Sequence, residues 1–365
     1  MLYPTGIFLI YLFIGAPLFS FSKLFIGYRS SLILLAIVNL FLIALASPFL
    51  ILLISLQILL MLIMYFLIKQ YKFNSNYAWL LILPLIFLSG PIFNLPLSEY
   101  FRKLFTWITF NETPFKIGAT FIVLKSYISL KQWIKRDKIL IIEALSALTF
   151  VPSLPAGPIH GCLEWENNKL KKKGTDYKIQ NVLIAISRIF WGIASLMVIA
   201  PLLASVVPKD PNSFQQIVMG VYFRFISLFF DFSGYSSVAI GSAALFGIKL
   251  PENFDKPFLA TNIKEFWRRW HMSMSNFIGT YIYKPYVRLS NNKRLGIFIA
   301  FIFAGLWHEI SLRFLLWGIG HGTCMAVTIK NSSKTKKYWL INRILSYLLT
   351  FNIVTFLSAI ATGYI

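Results

Sequence analysis

FIFAGLWHEISLRFLLWGIGHG, residues Phe301 to Gly322, is apolar and long enough to enter a bilayer, yet it carries two histidines, a glutamate and an arginine. An ionisable side chain at membrane depth costs roughly 2.5–3.5 kcal/mol on insertion scales, so each is a candidate for function. Read as one helix, the stretch puts His308 on a face with Ala304 and Gly305 a turn before it and Ser311 and Leu312 a turn after. The two small residues either leave room beside the imidazole for a substrate or let another helix pack closely. His321 falls about 220° further round a continuous helix, although Gly318 and Gly320 weaken continuity there. Its default role is a hydrogen bond to a neighbouring helix.

Composition places the whole chain in a membrane. Hydrophobic residues make up 57% of its 365 residues and charged ones 13%, about half the ~25% of a soluble domain. One continuous membrane domain is expected, with spans over 1–112, a core over 113–330 and a last span over 331–365. The formal charge of +22 (35 Lys and Arg against 13 Asp and Glu) sits mostly in short loops between apolar runs. The positive-inside rule and anionic membrane lipid account for it, and with no nucleic-acid motif present, nucleic acid is excluded as a partner. Cys162 and Cys324 are far apart and match no metal or redox spacing, so neither a metal nor a bound cofactor is expected. MLYPTGIFLIYLFIGAPLF, at the start, lacks a basic beginning and a small-residue cleavage site and reads as a retained span.

Taken in order, Thr5 to Phe21 makes a first span, and the charge-free run Ser30 to Ile68 makes two, turning at Ser47-Pro48. Tyr77 to Leu97 and Thr113 to Trp133 follow. With Lys23, Arg29, Lys69, Lys72 and the QWIKRDK run (Gln132 to Lys138) in the cytoplasm, the N-terminus is external. Ile139 to Gly161 is long enough to cross, but the next loop, Glu166 to Lys178, is the most basic in the chain. Pro152, Pro155, Gly157 and Pro158 break any helix there, which predicts a re-entrant element lining a cavity, with His160 at the interface. Ile179 to Val207 and Phe214 to Phe230 are further spans, and Asp231 is either a cytoplasmic cap or a cavity-lining group. From Asp231 to Tyr286 the chain is too polar for ordinary spans and is expected partly in and partly along the inner face. Leu295 to Ile310, Arg313 to Ile329 and Trp339 to Ile365 re-enter the membrane.

Upstream of the opening stretch lies PENFDKPFLATNIKEFWRRWHMSMSNFIGTYIY, Pro251 to Tyr283. The FWRRWHMSMS run, followed by GLWH and WGIGHG, resembles the membrane-bound O-acyltransferase family. It is most like the bacterial branch of alginate O-acetylation and D-alanyl-lipoteichoic acid transfer proteins. FDFSGYSSVAIGSAALFGI (Phe230 to Ile248) and LTFVPSLPAGPIHG (Leu148 to Gly161) resemble two more segments of that branch. The resemblance implies an all-α, polytopic bundle with re-entrant and interfacial helices around a central tunnel. It departs from the branch at Ile278-Gly279-Thr280, where an Arg-Asp pair is usual, at Glu309, where glycine is usual, and in KPYVRLSNNKR (Lys284 to Arg294).

Moving an acyl group from a thioester to a hydroxyl needs a base for the hydroxyl proton, stabilisation of the carbonyl oxygen, and exclusion of water. A neutral histidine inside an apolar bundle suits the first and third demands. The resemblance makes His308 the base and His271 the residue that polarises or orients the acyl carbonyl. Trp307 and Trp270 flank the histidines as tunnel wall; Asp231, Tyr235, Arg268, Arg269 and Ser311 complete the expected lining. Glu265 has an arginine partner within one turn, Arg268 or Arg269, and Glu309 has Arg313. Phe266, Trp270, Met274 and Phe277 recur as an apolar helical stripe.

The implied co-substrate is an acyl-CoA or an acyl-carrier protein with a phosphopantetheine arm, docking on the cytoplasmic side of the inner membrane. The acceptor is a hydroxyl on an envelope polysaccharide, a teichoic-acid-like polymer or a periplasmic acyl-transfer partner. Acetyl is favoured over D-alanyl. The alternatives are a transporter or flippase with a histidine proton relay, and an inactive scaffold of the same family.

Overall fold

In a bilayer the backbone has no water to bond, so long runs of Leu, Ile, Phe and Val satisfy it internally as helices. The computed structural model describes residues 10–46, 48–72, 78, 113–166, 179–328 and 339–364. Among the described residues there are helices, π and 3-10 turns and loops, and no strand. A π turn at Tyr11–Gly15 leads into α1 (Ala16–Phe25). Gly27, at φ +80°, then turns the chain into α2 (Gly27–Ala46), and α3 (Pro48–Gln70) starts on its proline. The charge-free run thus makes two helices. Next come α4 (Thr113–Arg136), α5 (Ile141–Thr149) and α6 (Leu163–Glu166). α7 (Ile179–Ala194) continues through a π turn into α8 (Ala200–Ser205), and α9 is Phe214–Leu245. Then follow α10 (Ile263–Arg269), α11 (Met272–Ile278), a π turn at Gly279–Tyr283 and α12 (Lys284–Ser290). α13 (Lys293–His308), α14 (Leu312–Thr328) and α15 (Trp339–Thr362) close the chain.

Among the described residues, five stretches are long and apolar enough to cross a membrane: Gly27–Leu45, Leu50–Gln70, Ile179–Ser205, Phe214–Leu245 and Ile344–Thr362. The chain is a multi-pass, all-α membrane protein. Apart from Ala78, the expected span at Tyr77 to Leu97 lies outside the described residues, as do the basic loops after Glu166 and before Trp339. Packing separates two units, one drawn from the chain up to Gly192 and from Tyr235–Pro251, the other from Ile193–Gly234 and Glu252–Ile365.

In the first unit α4 is buried on every side from Ala119 to Leu130, and Lys125 in its middle is fully enclosed. Its ammonium donates to the Ser153 hydroxyl (2.9 Å), the Ser153 carbonyl (3.2 Å) and the Ala147 carbonyl (3.5 Å). Ala147 belongs to the last turn of α5, whose carbonyls have no intrahelical partner, and a cation there also suits the helix dipole. The proline-broken segment after α5 is thereby satisfied at depth, which is what lets it leave helical geometry. Ser153, Leu154 and Gly157 to Gly161, where a cavity lining was expected, are buried against protein. Gly161 lies so close to Gln132 and Ile128 that a Cβ would overlap both. His160 is 1% exposed, with its Nδ1 2.8 Å from the Pro158 carbonyl, so it is a core residue and not an interfacial one. Lys125→Met leaves Ser153 and Ala147 without their donor, and is expected to cost about 1–3 kcal/mol. A lower unfolding midpoint in detergent, with activity per folded molecule unchanged, is the measurement that checks it.

α9 corrects another boundary. FDFSGYS contains no proline, so the helix runs through the end expected at Phe230, and Asp231 is an exposed mid-helix residue, not a cap.

In the second unit α13 and α14 form a tight hairpin with α15 beside α14. Gly305 rests on the Phe314 backbone and Gly318 on the Phe301 backbone, with no room for a Cβ at either. The hairpin bends at Glu309, whose φ of −163° and ψ of 134° are extended. The opening stretch is therefore two helices broken after His308, and it is continuous through Gly318 and Gly320.

Candidate active site

A cavity of about 760 Å³ opens inside the second unit, within the usual range for a small-molecule site. His271, His308 and His321 all line it, with Trp267, Trp270 and Arg268. Three imidazoles from separate elements thus meet one largely apolar space, with nine Phe, Trp and Tyr rings in its wall.

α13 delivers His308. Asn292 caps the helix by accepting the Leu295 N–H at 3.0 Å, and Asn292 and the bend at Glu309 fix its two ends. As the last residue of the helix, His308 has an exposed side chain on the cavity and makes no hydrogen bond among the described residues. Its ring stacks on Phe314 at 5.5 Å and stands edge-on to Trp317 at 5.9 Å. Both alternatives for the small residues hold, one each: Ala304 lines the cavity and Gly305 seats α14. Ser311 is not one turn further along the same helix but in the bend, with its hydroxyl 3.5 Å from the Phe314 N–H as a cap for α14; it does not reach the cavity. Glu309 and Arg313 pair at 3.6 Å across that bend.

His271 arrives differently. The apolar stripe predicts one helix, but the helix breaks between α10 and α11, and His271 takes a left-handed backbone (φ 42°, ψ 52°). That conformation costs a non-glycine residue about 1–2 kcal/mol, and strain of this kind concentrates at functional sites. The break is held from outside by Asn253, which is fully buried. Its carbonyl accepts the Met272 N–H at 2.9 Å, and its side-chain oxygen accepts the Ser273 N–H (3.3 Å) and hydroxyl (2.6 Å). The stripe residues Phe266, Trp270, Met274 and Phe277 are all buried nonetheless. Trp270 stacks on Phe266 and Phe225 as wall. His271 stands edge-on to Phe232 at 4.6 Å, and Trp307 touches both catalytic candidates, at 4.6 Å from His308 and 6.3 Å from His271. Trp307 itself is buried behind them, off the cavity surface.

The two arginines divide. Arg269 is bound to Glu265 at 2.7 Å, and the other oxygen of Glu265 accepts the Thr261 N–H and hydroxyl at 2.9 and 2.7 Å. Burial raises the Glu265 carboxyl, but Thr261 and then Arg269 outweigh it and hold the group below the ordinary carboxylate range. Arg268 and Lys264, one turn apart, are exposed on the cavity with no ion pair among the described residues. Asp231 and Tyr235 do not line it: Phe225, Leu228 and Phe232 take the cavity face of α9, and Asp231 lies about 100° round from Phe232. Tyr235 falls in the first unit. Gly279 lies on the cavity wall with open space where a Cβ would stand.

Asn253, Trp267 and Trp317 are the contributors that sequence reading passed over. Trp317 and His321 carry a faint signal, being one turn apart on α14; Asn253 carries none, because its partners lie twenty residues away.

A family model for MBOAT, the membrane-bound O-acyltransferase family, matches residues 97–365. The chain is 34% identical over 219 residues to a peptidoglycan O-acetyltransferase of Helicobacter pylori, covering 57% of this chain and 41% of that protein. It is 30% identical over 229 residues to a teichoic acid D-alanyltransferase of Bacillus subtilis, covering 57% and 58%. It is 35% identical over 133 residues to a probable alginate O-acetylase of Pseudomonas syringae pv. tomato, covering 35% and 25%. The chain thus matches about half or less of the length of these curated relatives.

Proposed function

The chain belongs to the membrane-bound O-acyltransferase family, and from that premise we propose that it transfers a small acyl group from a thioester to a hydroxyl of a cell-envelope polymer. The observation that carries the reading is His308, an imidazole with no hydrogen-bond partner among the described residues, open to a largely apolar cavity. In the step, His308 takes the proton of the acceptor hydroxyl as its oxygen bonds to the acyl carbon. The C–S bond breaks, the thiolate leaves, and it regains the proton from the imidazolium. Ester and free thiol are the products, and no oxidant or metal is needed. His271 donates toward the acyl oxygen while charge develops there, the kind of interaction whose removal costs about 10²–10³ in rate. The apolar walls keep water from competing.

Relatives named for acetyl and for D-alanyl transfer leave both groups in view; acetyl is the reading favoured here. The donor is an acyl-CoA or a phosphopantetheinyl carrier protein, approaching from the cytoplasmic side of the inner membrane, with the N-terminus outside. Arg268, on the cavity, meets a donor phosphate in this reading, while Arg269, paired with Glu265, braces α10. Arg268→Ala is expected to raise the donor KM about tenfold with stability unchanged. Arg269→Ala is expected to cost about 0.5–1 kcal/mol of stability instead. Steady-state kinetics and unfolding midpoints on both variants separate the two roles. The function itself is tested by mass spectrometry of envelope polymers from cells with and without the chain. A gain of acyl ester supports transfer, and identical polymers reject it.

A further inference from the structure

The third histidine on the cavity has a chemical state set by its neighbour. The Trp267 indole lies 3.3 Å from His321 Nδ1. An indole N–H only donates, so Nδ1 must present its lone pair, the ring is neutral, and the hydrogen is on Nε2. His321 is 1% exposed and lines the cavity, and Nε2 has no partner among the described residues. Trp317 at 4.6 Å, Trp267 at 5.0 Å and Phe301 at 6.0 Å hold the ring in place. His321 therefore offers one fixed donor and no free base, the opposite of His308.

Its position fixes what that donor meets. Phe301, stacked on His321, precedes His308 by seven residues on α13, two turns or about 10 Å along the axis. A group at His321 is thus well removed from an acyl carbon at His308. We propose that His321 Nε2–H binds an amide carbonyl on the arm of the thioester donor, anchoring an elongated donor along the cavity with its thioester at His308. An amide oxygen is the acceptor a neutral imidazole N–H suits, and Trp267, Trp317 and Phe301 around His321 offer it no competing acceptor. This rests on the transferase reading and adds to it a residue that binds the amide of that donor's arm.

The test uses membranes from cells producing the full chain, supplied with S-acetylpantetheine or with S-ethyl thioacetate, which has no amide, and follows thiol release. His321→Asn keeps an acceptor for Trp267 but is too short to donate at the Nε2 position; His321→Gln reaches it with an amide N–H. His321→Asn is expected to raise KM for S-acetylpantetheine about tenfold, with kcat and the S-ethyl thioacetate KM unmoved. His321→Gln is expected to recover most of the loss. A wild-type KM in His321→Asn overturns the contact, as does an equal loss with both thioesters, which marks a role in packing or at the reacting carbon. Wild-type membranes with no His308-dependent thiol release reject the transferase reading beneath it, and that outcome is visible before any His321 variant is compared.

Discussion

His308→Ala is expected to lower ester formation about 10²–10⁴-fold, the range a positioned general base contributes, with wild-type amounts of folded protein in the membrane. The second half of that expectation follows from the surroundings. His308 makes no hydrogen bond among the described residues and faces open space, so truncation orphans no polar group. It forfeits ring contacts with Trp307, Phe314 and Trp317 alone. Loss of activity can then be assigned to chemistry instead of folding. Because the removed ring borders a cavity of about 760 Å³, added imidazole has room to enter, and partial rescue is expected at millimolar concentrations. Mass spectrometry of polymer esters, normalised to inserted protein, reads both effects. Undiminished ester in His308→Ala would take the proton from this residue and leave the scaffold and transporter alternatives standing.

The parts of this molecule that were legible in its sequence are those set by local pattern. Apolar runs bounded by Lys and Arg became described helices, and the charge-free run divided into two of them as length required. The partner of Glu309 was readable from spacing alone. What escaped depended on groups distant in the chain. The stripe Phe266, Trp270, Met274 and Phe277 is intact as burial yet broken as a helix, because the backbone bonds that α10 and α11 forgo are supplied by Asn253. Pro152 and Pro155 announced broken backbone, but whether a cavity or protein surrounds it was decided by a cation on another helix, Lys125. For His321 the glycines suggested an interruption. Gly318 instead lets α14 lie against the Phe301 backbone, and the bend falls at Glu309, a residue with ordinary helix propensity.

Asn253→Ala is the second large effect expected, although the residue does not itself line the cavity. Its side-chain oxygen is the acceptor for both the N–H and the hydroxyl of Ser273, itself buried. Removing it leaves those donors unmet, at about 1–3 kcal/mol, and the left-handed turn at His271 loses its clamp. Relaxation toward a continuous helix would swing His271 off the cavity, and a displacement of about 1 Å at such a group costs about 10²-fold in rate. Asn253→Asp keeps the acceptor and is expected to retain most activity. The decisive measurement is a double-mutant cycle. If Asn253 acts through His271, then His271→Ala adds little to the loss already present in Asn253→Ala, because the group it removes is already out of place. Fully additive losses would separate the two residues and confine Asn253 to stability.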